Sequence, residues 1–264
     1  MESVLKSFLQ FLQNATIGQW MIVVAGLPLI GYMIFMIFAF GWKSRPVKGP
    51  DRWYEYVMLS YLLSFLWMWM ISARVQDRAN FLSFLPVNLI LWPGPVLFHF
   101  IKSKLYRNFR FRPRDLKHFI FPLAHLSFYF FAFALPPMRK YNLFLHEYHA
   151  IYKPFEDFSF GVIMFLYCYF AYRFIKHEQW SINESTPKAE IVKISWLQRF
   201  FKVFFLSSFV HLAYGLFSMA NAFIFRIVFE NNYLELLHIF VFMICMGWLG
   251  FHAVLMKALP KSNI

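Results

Sequence analysis

A chain of 264 residues that is 60% hydrophobic and only 15% charged leaves almost no polar surface for a separate water-soluble domain. Its net charge of +13 would suit a polyanion. The lysines and arginines, however, sit in short segments beside apolar runs, where lipid headgroups and topological anchoring account for them, so nucleic acid is not an expected partner and membrane lipid is.

From the N-terminus, Val4, Leu5, Phe8, Leu9, Phe11 and Leu12 alternate with Ser, Lys and Gln, and no basic region precedes a compact apolar core. Residues 1–19 therefore read as an amphipathic helix lying on the membrane surface rather than a cleaved signal. Seven apolar runs follow: Trp20–Trp42, Trp53–Ser72, Phe81–Leu105, Lys117–Pro136, Phe158–Ile175, Trp196–Met219 and Tyr233–Lys257. Each is close to the ~20 residues that an α-helix needs to cross the hydrocarbon core. The predicted fold class is all-α: a polytopic membrane protein with seven transmembrane helices over residues 20–257 and a short tail at 258–264.

The third run contains Pro93-Gly94-Pro95. Two missing backbone donors around a flexible glycine predict a kink near the middle of that helix, serving either as a switching element or as a static bend. Between the fourth and fifth runs, Pro137 to Asp157 reads as a connection rich in aromatic residues, folded against the mouth of the bundle. The connection Lys176 to Ser195 carries a polar cluster, Ser181 to Pro187, and reads as flexible. Trp residues near the run boundaries are interface anchors, and Phe128, Phe130, Phe131 and Phe133 form a lipid-facing or packing surface.

Basic residues set the orientation. Lys6, Arg74, Arg78, Arg139, Lys140, Lys153 and Arg226 fall on one side, leaving 19 of the 26 on the other. The positive-inside rule then predicts an N-terminus outside and a C-terminus in the cytoplasm. The densest basic segment, Lys102, Lys104, Arg107, Arg110, Arg112, Arg114 and Lys117, is the expected partner-facing loop.

Ionisable and strongly polar groups are costly within a membrane, so each one inside a run is a candidate site. They are Asn88, His99, His125, Arg173, His211, Glu235, His238 and His252. His99, His125 and His252 are expected towards the cytoplasm. His211 and His238 are expected in the outer half, where with Glu235, Asn221 and Arg226 they would form a polar ligand pocket open to the outside, or else bond across helix interfaces. His146-Glu-Tyr-His149 lacks the spacing of a helical zinc motif. Cys168 and Cys245 lie inside apolar runs without C-x-x-C spacing, which indicates buried thiols rather than a disulfide or metal site. No catalytic set, metal or cofactor is expected.

The stretch Phe84 to Ser103, containing Trp92-Pro-Gly-Pro95 and Phe98-His-Phe-Ile101, followed by Phe109-Arg-Phe-Arg-Pro-Arg-Asp-Leu-Lys-His-Phe-Ile-Phe-Pro122, resembles the third helix, basic loop and fourth helix of a bacterial sensor family. Gly247-Trp-Leu-Gly-Phe-His-Ala253 is similar to the close of that family's seventh helix. There a seven-helix membrane segment precedes an AraC-type DNA-binding domain or a histidine-kinase output. The resemblance implies signal reception at a bacterial inner membrane; with Ile264 only a few residues past the seventh run, an attached output domain is not expected. The leading expectation is a non-enzymatic receptor-like or adaptor protein acting through other membrane or envelope proteins. A structural or assembly subunit of an envelope complex, and a histidine-based membrane enzyme or small transporter, remain open beside it.

Overall fold

The computed structural model describes residues 24, 26–35, 50–72, 84–106, 109–183, 186–225 and 233–258. Among them there is no strand: the chain is all-helical. In chain order the helices are α1 (Gly26–Phe35), α2 (Pro50–Ser72), α3 (Pro93–Leu105), α4 (Ile120–Phe133), α5 (Pro137–Asn142), α6 (Lys153–Trp180), α7 (Lys188–Ala220) and α8 (Tyr233–Ala258). A 3-10 turn, Pro113–Phe119, leads into α4, and a π-helical stretch, Leu143–Tyr152, joins α5 to α6. Four of these helical stretches are long and apolar enough to cross a membrane: Arg52–Ile71, Pro113–Phe133, His146–Trp180 and Glu190–Ile224. The surface helix expected over 1–19 and the tail beyond Ala258 lie outside the described residues.

Two expectations are corrected, one for the third apolar run and one for a connection. Residues 84–92 are not helical, and α3 begins only at Pro93 and runs for 13 residues. The Pro93-Gly94-Pro95 kink within a helix is therefore replaced by a helix start. A proline at the first helical position gives up no hydrogen bond, because that N–H has no partner within the helix anyway. Gly94 permits the close approach that follows: a Cβ there would lie 3.3 Å from the Tyr167 ring and 3.4 Å from Ile163 Cγ2 on α6. The second correction concerns residues 137–157, expected as a loop. They are helical, with Pro137 again at the start and Lys153 N–H bonding back five residues to the Tyr148 carbonyl.

The core lies between α2, α3, α6, α7 and α8. Tyr61 of α2 packs against Phe204 and Phe242, with ring centroids 5.7 and 4.8 Å away, and Met164 and Cys168 of α6 complete the layer. Side chains also donate to backbone carbonyls across helices: Trp248 Nε1 to Phe200 at 2.9 Å, and Tyr54 to Leu249. The tightest contact is between α6 and α7. A Cβ on Gly161 would stand 2.6 Å from the His211 carbonyl oxygen, and one on Gly215 would stand 2.6 Å from that of Asp157. Only glycine lets these two backbones touch, the packing device of helices in lipid, where apolar burial against a partner gains little.

α4 lies apart from this core and packs through a second apolar group, Trp67, Phe84, Tyr129, Phe144 and Tyr148. Its other face is bare: Phe121 is 71% and Phe131 66% exposed. Phe130 and Phe133 are exposed beside them, while Phe128 instead stacks on Tyr152 at 4.0 Å. A contiguous exposed aromatic face of this kind suits hydrocarbon rather than water.

Candidate functional site: a buried carboxylate network

Glu156, in the first turn of α6, is 1% exposed and is the centre of the polar core. Asn88 Nδ2 donates to its Oε1 at 2.7 Å, and the hydroxyls of Tyr129 and Tyr148 donate to its Oε2 at 3.0 and 3.2 Å. His125 Nε2 lies 3.7 Å from Oε1. The partners come from the segment before α3, from α4 and from the π-helical stretch, so one carboxylate joins four elements. A buried carboxylate without donors would cost several kcal/mol, and three donors remove most of that penalty.

Local structure explains how each donor arrives. Asn88 holds its own turn by accepting from Ile90 N–H at 3.1 Å, which leaves its amide nitrogen free to face Glu156. Upstream, buried Phe84 adopts a left-handed backbone with φ of 59°, a conformation that costs a non-glycine residue roughly 1–2 kcal/mol. Its ring offsets that cost by packing edge-on to Phe128, Tyr129, Phe144 and Tyr148. Irregular backbone at membrane depth survives only when protein covers it, and residues 84–92 are covered in this way.

One residue further on, Asp157 pairs with Lys153 and accepts from Ser218 Oγ of α7 at 3.1 Å. A cavity of about 10 Å³ is lined by Glu156, Lys153, Tyr214 and His238, with space for about one water molecule.

His211 and His238 meet, as the sequence analysis anticipates: the Nδ1 atoms are 3.1 Å apart and the ring centroids 4.7 Å apart. With nitrogen facing nitrogen, one ring donates and the other accepts, so the two rings hold complementary tautomers. The open pocket is a correction. The rings are 0% and 2% exposed, closed in by Phe160, Tyr214 and Phe242. Bulky aromatic neighbours on α6, α7 and α8 fill the space that a ligand would need. Asn221 lies in a π-helical turn at the end of α7, half-buried. Glu235 is in the first turn of α8, but its side chain, like Arg226 altogether, lies outside the described residues.

His125, expected near the basic end, instead stands beside Glu156, one helical turn before Tyr129, whose hydroxyl lies 3.0 Å from that of Tyr148. His99 does lie among the basic residues, stacked between Trp53 and Phe119 at 5.0 and 5.6 Å. His252 packs on Trp248 and Phe200. Of the basic segment, Arg110, Arg112, Arg114 and Lys117 are exposed, Lys102 and Lys104 close the last turn of α3, and Arg107 is outside the described residues. His146 and His149 are exposed on the π-helical stretch.

Glu156, Asp157, Tyr129, Tyr148 and Lys153 are site residues that are not among the candidates expected from sequence. One signal pointed to them: an acidic pair at the head of an apolar run is itself a costly, partner-seeking feature. No protein-family model, curated protein or solved structure matches the chain.

Proposed function

We propose that this chain is a non-enzymatic, receptor-like component of a bacterial inner membrane. It crosses that membrane seven times, with the N-terminus outside, and acts through partner proteins. The observation that carries the proposal is the Glu156 network, because a ligand or altered bond at one buried carboxylate changes the packing of four elements together. Glu156 and Lys176 are twenty residues apart on α6, about 30 Å along a helix. Output leaves through the basic end, where Lys102, Lys104, Arg110, Arg112, Arg114 and Lys117 lie.

Seven crossings are supported by the apolar character of all seven runs, two of which contain the shorter described helices Gly26–Phe35 and Leu236–His252. The uneven distribution of basic residues supports the orientation. The resemblance to bacterial seven-helix sensors supports reception over an envelope-assembly role.

The test is purification of the native chain and of Glu156→Gln in mild detergent, with identification of the proteins that travel with each. A defined partner set whose recovery falls with Glu156→Gln, at equal expression, is the expected result. A stoichiometric large assembly indifferent to the substitution would indicate a structural subunit instead. Orientation is read on intact cells with an impermeant thiol reagent: a cysteine at Asn142 should react and one at Asn183 should be shielded.

A further inference from the structure

A cleft opens between α6 and α7 at the end far from Glu156. It has a volume of about 430 Å³, within the range of small-molecule sites. Its floor is apolar, made by buried Ile175 and Phe201 and by Tyr172 stacked on Phe205 with centroids 5.0 Å apart. At its aqueous end Gln198 Nε2 donates to Gln179 Oε1 at 2.7 Å, which ties the two helices across the cleft.

The charge on the lining has one sign. Lys176 and Lys202 are the ionisable groups there besides the Tyr172 phenol, and no Asp or Glu lines the cleft. Among the described residues neither lysine forms an ion pair; Lys176 instead holds its ammonium 5.9 Å from the centre of the Tyr172 ring. Two lysines from different helices therefore face an apolar slot with no anion to neutralise them. From this slot, α6 and α7 run on as apolar helices towards Glu156.

We infer that this cleft is a binding site for an anionic phospholipid, with the headgroup phosphate between Lys176 and Lys202 and an acyl chain lying over Phe205 and exposed Leu206. The occupant follows from complementarity. The slot asks for a negative group at the boundary where the helices leave the bilayer and for hydrocarbon immediately below it, and one lipid molecule supplies both at that depth. Zwitterionic lipid fits the apolar floor but leaves the two positive charges uncompensated. The inference rests on the membrane assignment above and adds to it a specific occupant.

The experiment is native mass spectrometry of the full chain, purified in mild detergent and titrated with phosphatidylglycerol or, separately, phosphatidylcholine. Phosphatidylglycerol should bind preferentially. Lys176→Gln with Lys202→Gln should weaken its binding about thirtyfold, at about fivefold per lysine near a membrane surface. Lys176→Arg with Lys202→Arg, which keeps both charges, should retain binding, and an unchanged unfolding midpoint of the glutamine variant shows that its loss is not loss of fold. Lys188→Gln with Lys193→Gln removes the same charge outside the cleft and should change nothing. Equal binding of both lipids, or equal loss in the two glutamine pairs, overturns the site. Carbonate washing of membranes from the same cells reads the membrane assignment separately: extraction of the chain refutes that assignment, whereas a retained chain without lipid preference refutes only the cleft.

Discussion

The same two helices meet differently at their two ends. Where α6 begins, Gly161 and Gly215 bring the α6 and α7 backbones into contact, and the charged and polar side chains meet one another in a buried set: Glu156 with Asn88, Tyr129 and Tyr148, Asp157 with Lys153 and Ser218, His211 with His238. Where α6 ends, Phe, Tyr and Lys replace glycine, side chains rather than backbones fill the interface, and a cleft remains with two unpaired lysines on it. Small residues close an interface in lipid and large ones leave it open, so residue size decides which end is a locked polar core and which is an accessible surface.

The strongest way to break this contrast is to remove the carboxylate. Glu156→Ala leaves the Asn88 amide and two buried tyrosine hydroxyls without their carboxylate acceptor, and should lower unfolding stability by about 3 kcal/mol. Lys176→Ala at the open end should cost under about 1 kcal/mol, because the half-buried lysine loses only its approach to the Tyr172 ring. Both are measured by denaturant-induced unfolding in mixed micelles, and similar losses at the two ends would remove the distinction.

Backbone contact is probed next. Gly161→Ala and Gly215→Ala each place a methyl against a carbonyl oxygen that cannot move without shifting a helix, which should cost about 1–3 kcal/mol. Leu206→Ala on the open stretch of α7, where the side chain is exposed, should cost less than either glycine substitution. If the alanines at Gly161 and Gly215 are neutral in the same unfolding measurement, the helices are not locked there.

The histidine pair gives the smallest expected effect. His211→Gln or His238→Gln preserves a hydrogen-bonding group at the interface, and such bonds within membrane bundles average about 0.6 kcal/mol. The double substitution should cost less than the sum of the singles, because both remove one shared bond. Additive losses in a double-mutant cycle would show that the rings act separately despite their 3.1 Å contact.

Hydropathy alone locates α2 and α8 to within three residues, and α7 at its far end, though α7 begins eight residues before its expected start at Trp196; an unbroken apolar run near the length of a membrane crossing has few alternatives to a helix. It also places His211 and His238 at one level, from nothing more than depth along consecutive runs. It fails at residues 84–92 and 137–157 for opposite reasons. The first stretch is apolar and yet irregular, because Phe84, Asn88 and the prolines at 93 and 95 favour a turn that the aromatic cluster then covers. The second is more polar and yet helical, because Pro137 starts a helix whose continuation buries Phe144 and Tyr148 in one apolar cluster with Tyr129 of α4.

What the amino-acid sequence determined by itself is therefore the solvent: an apolar, basic-rimmed helical chain follows from composition and from the spacing of its charges. Only the tertiary structure decided that Glu156 is the centre of the polar core. A carboxylate at the head of an apolar run is equally a boundary marker or a buried hub. The difference lies in whether Asn88, Tyr129 and Tyr148, up to 68 residues away in the chain, arrive with their donors pointed at it. Hydrogen-bond satisfaction is a property of assembled elements, and no local pattern encodes it.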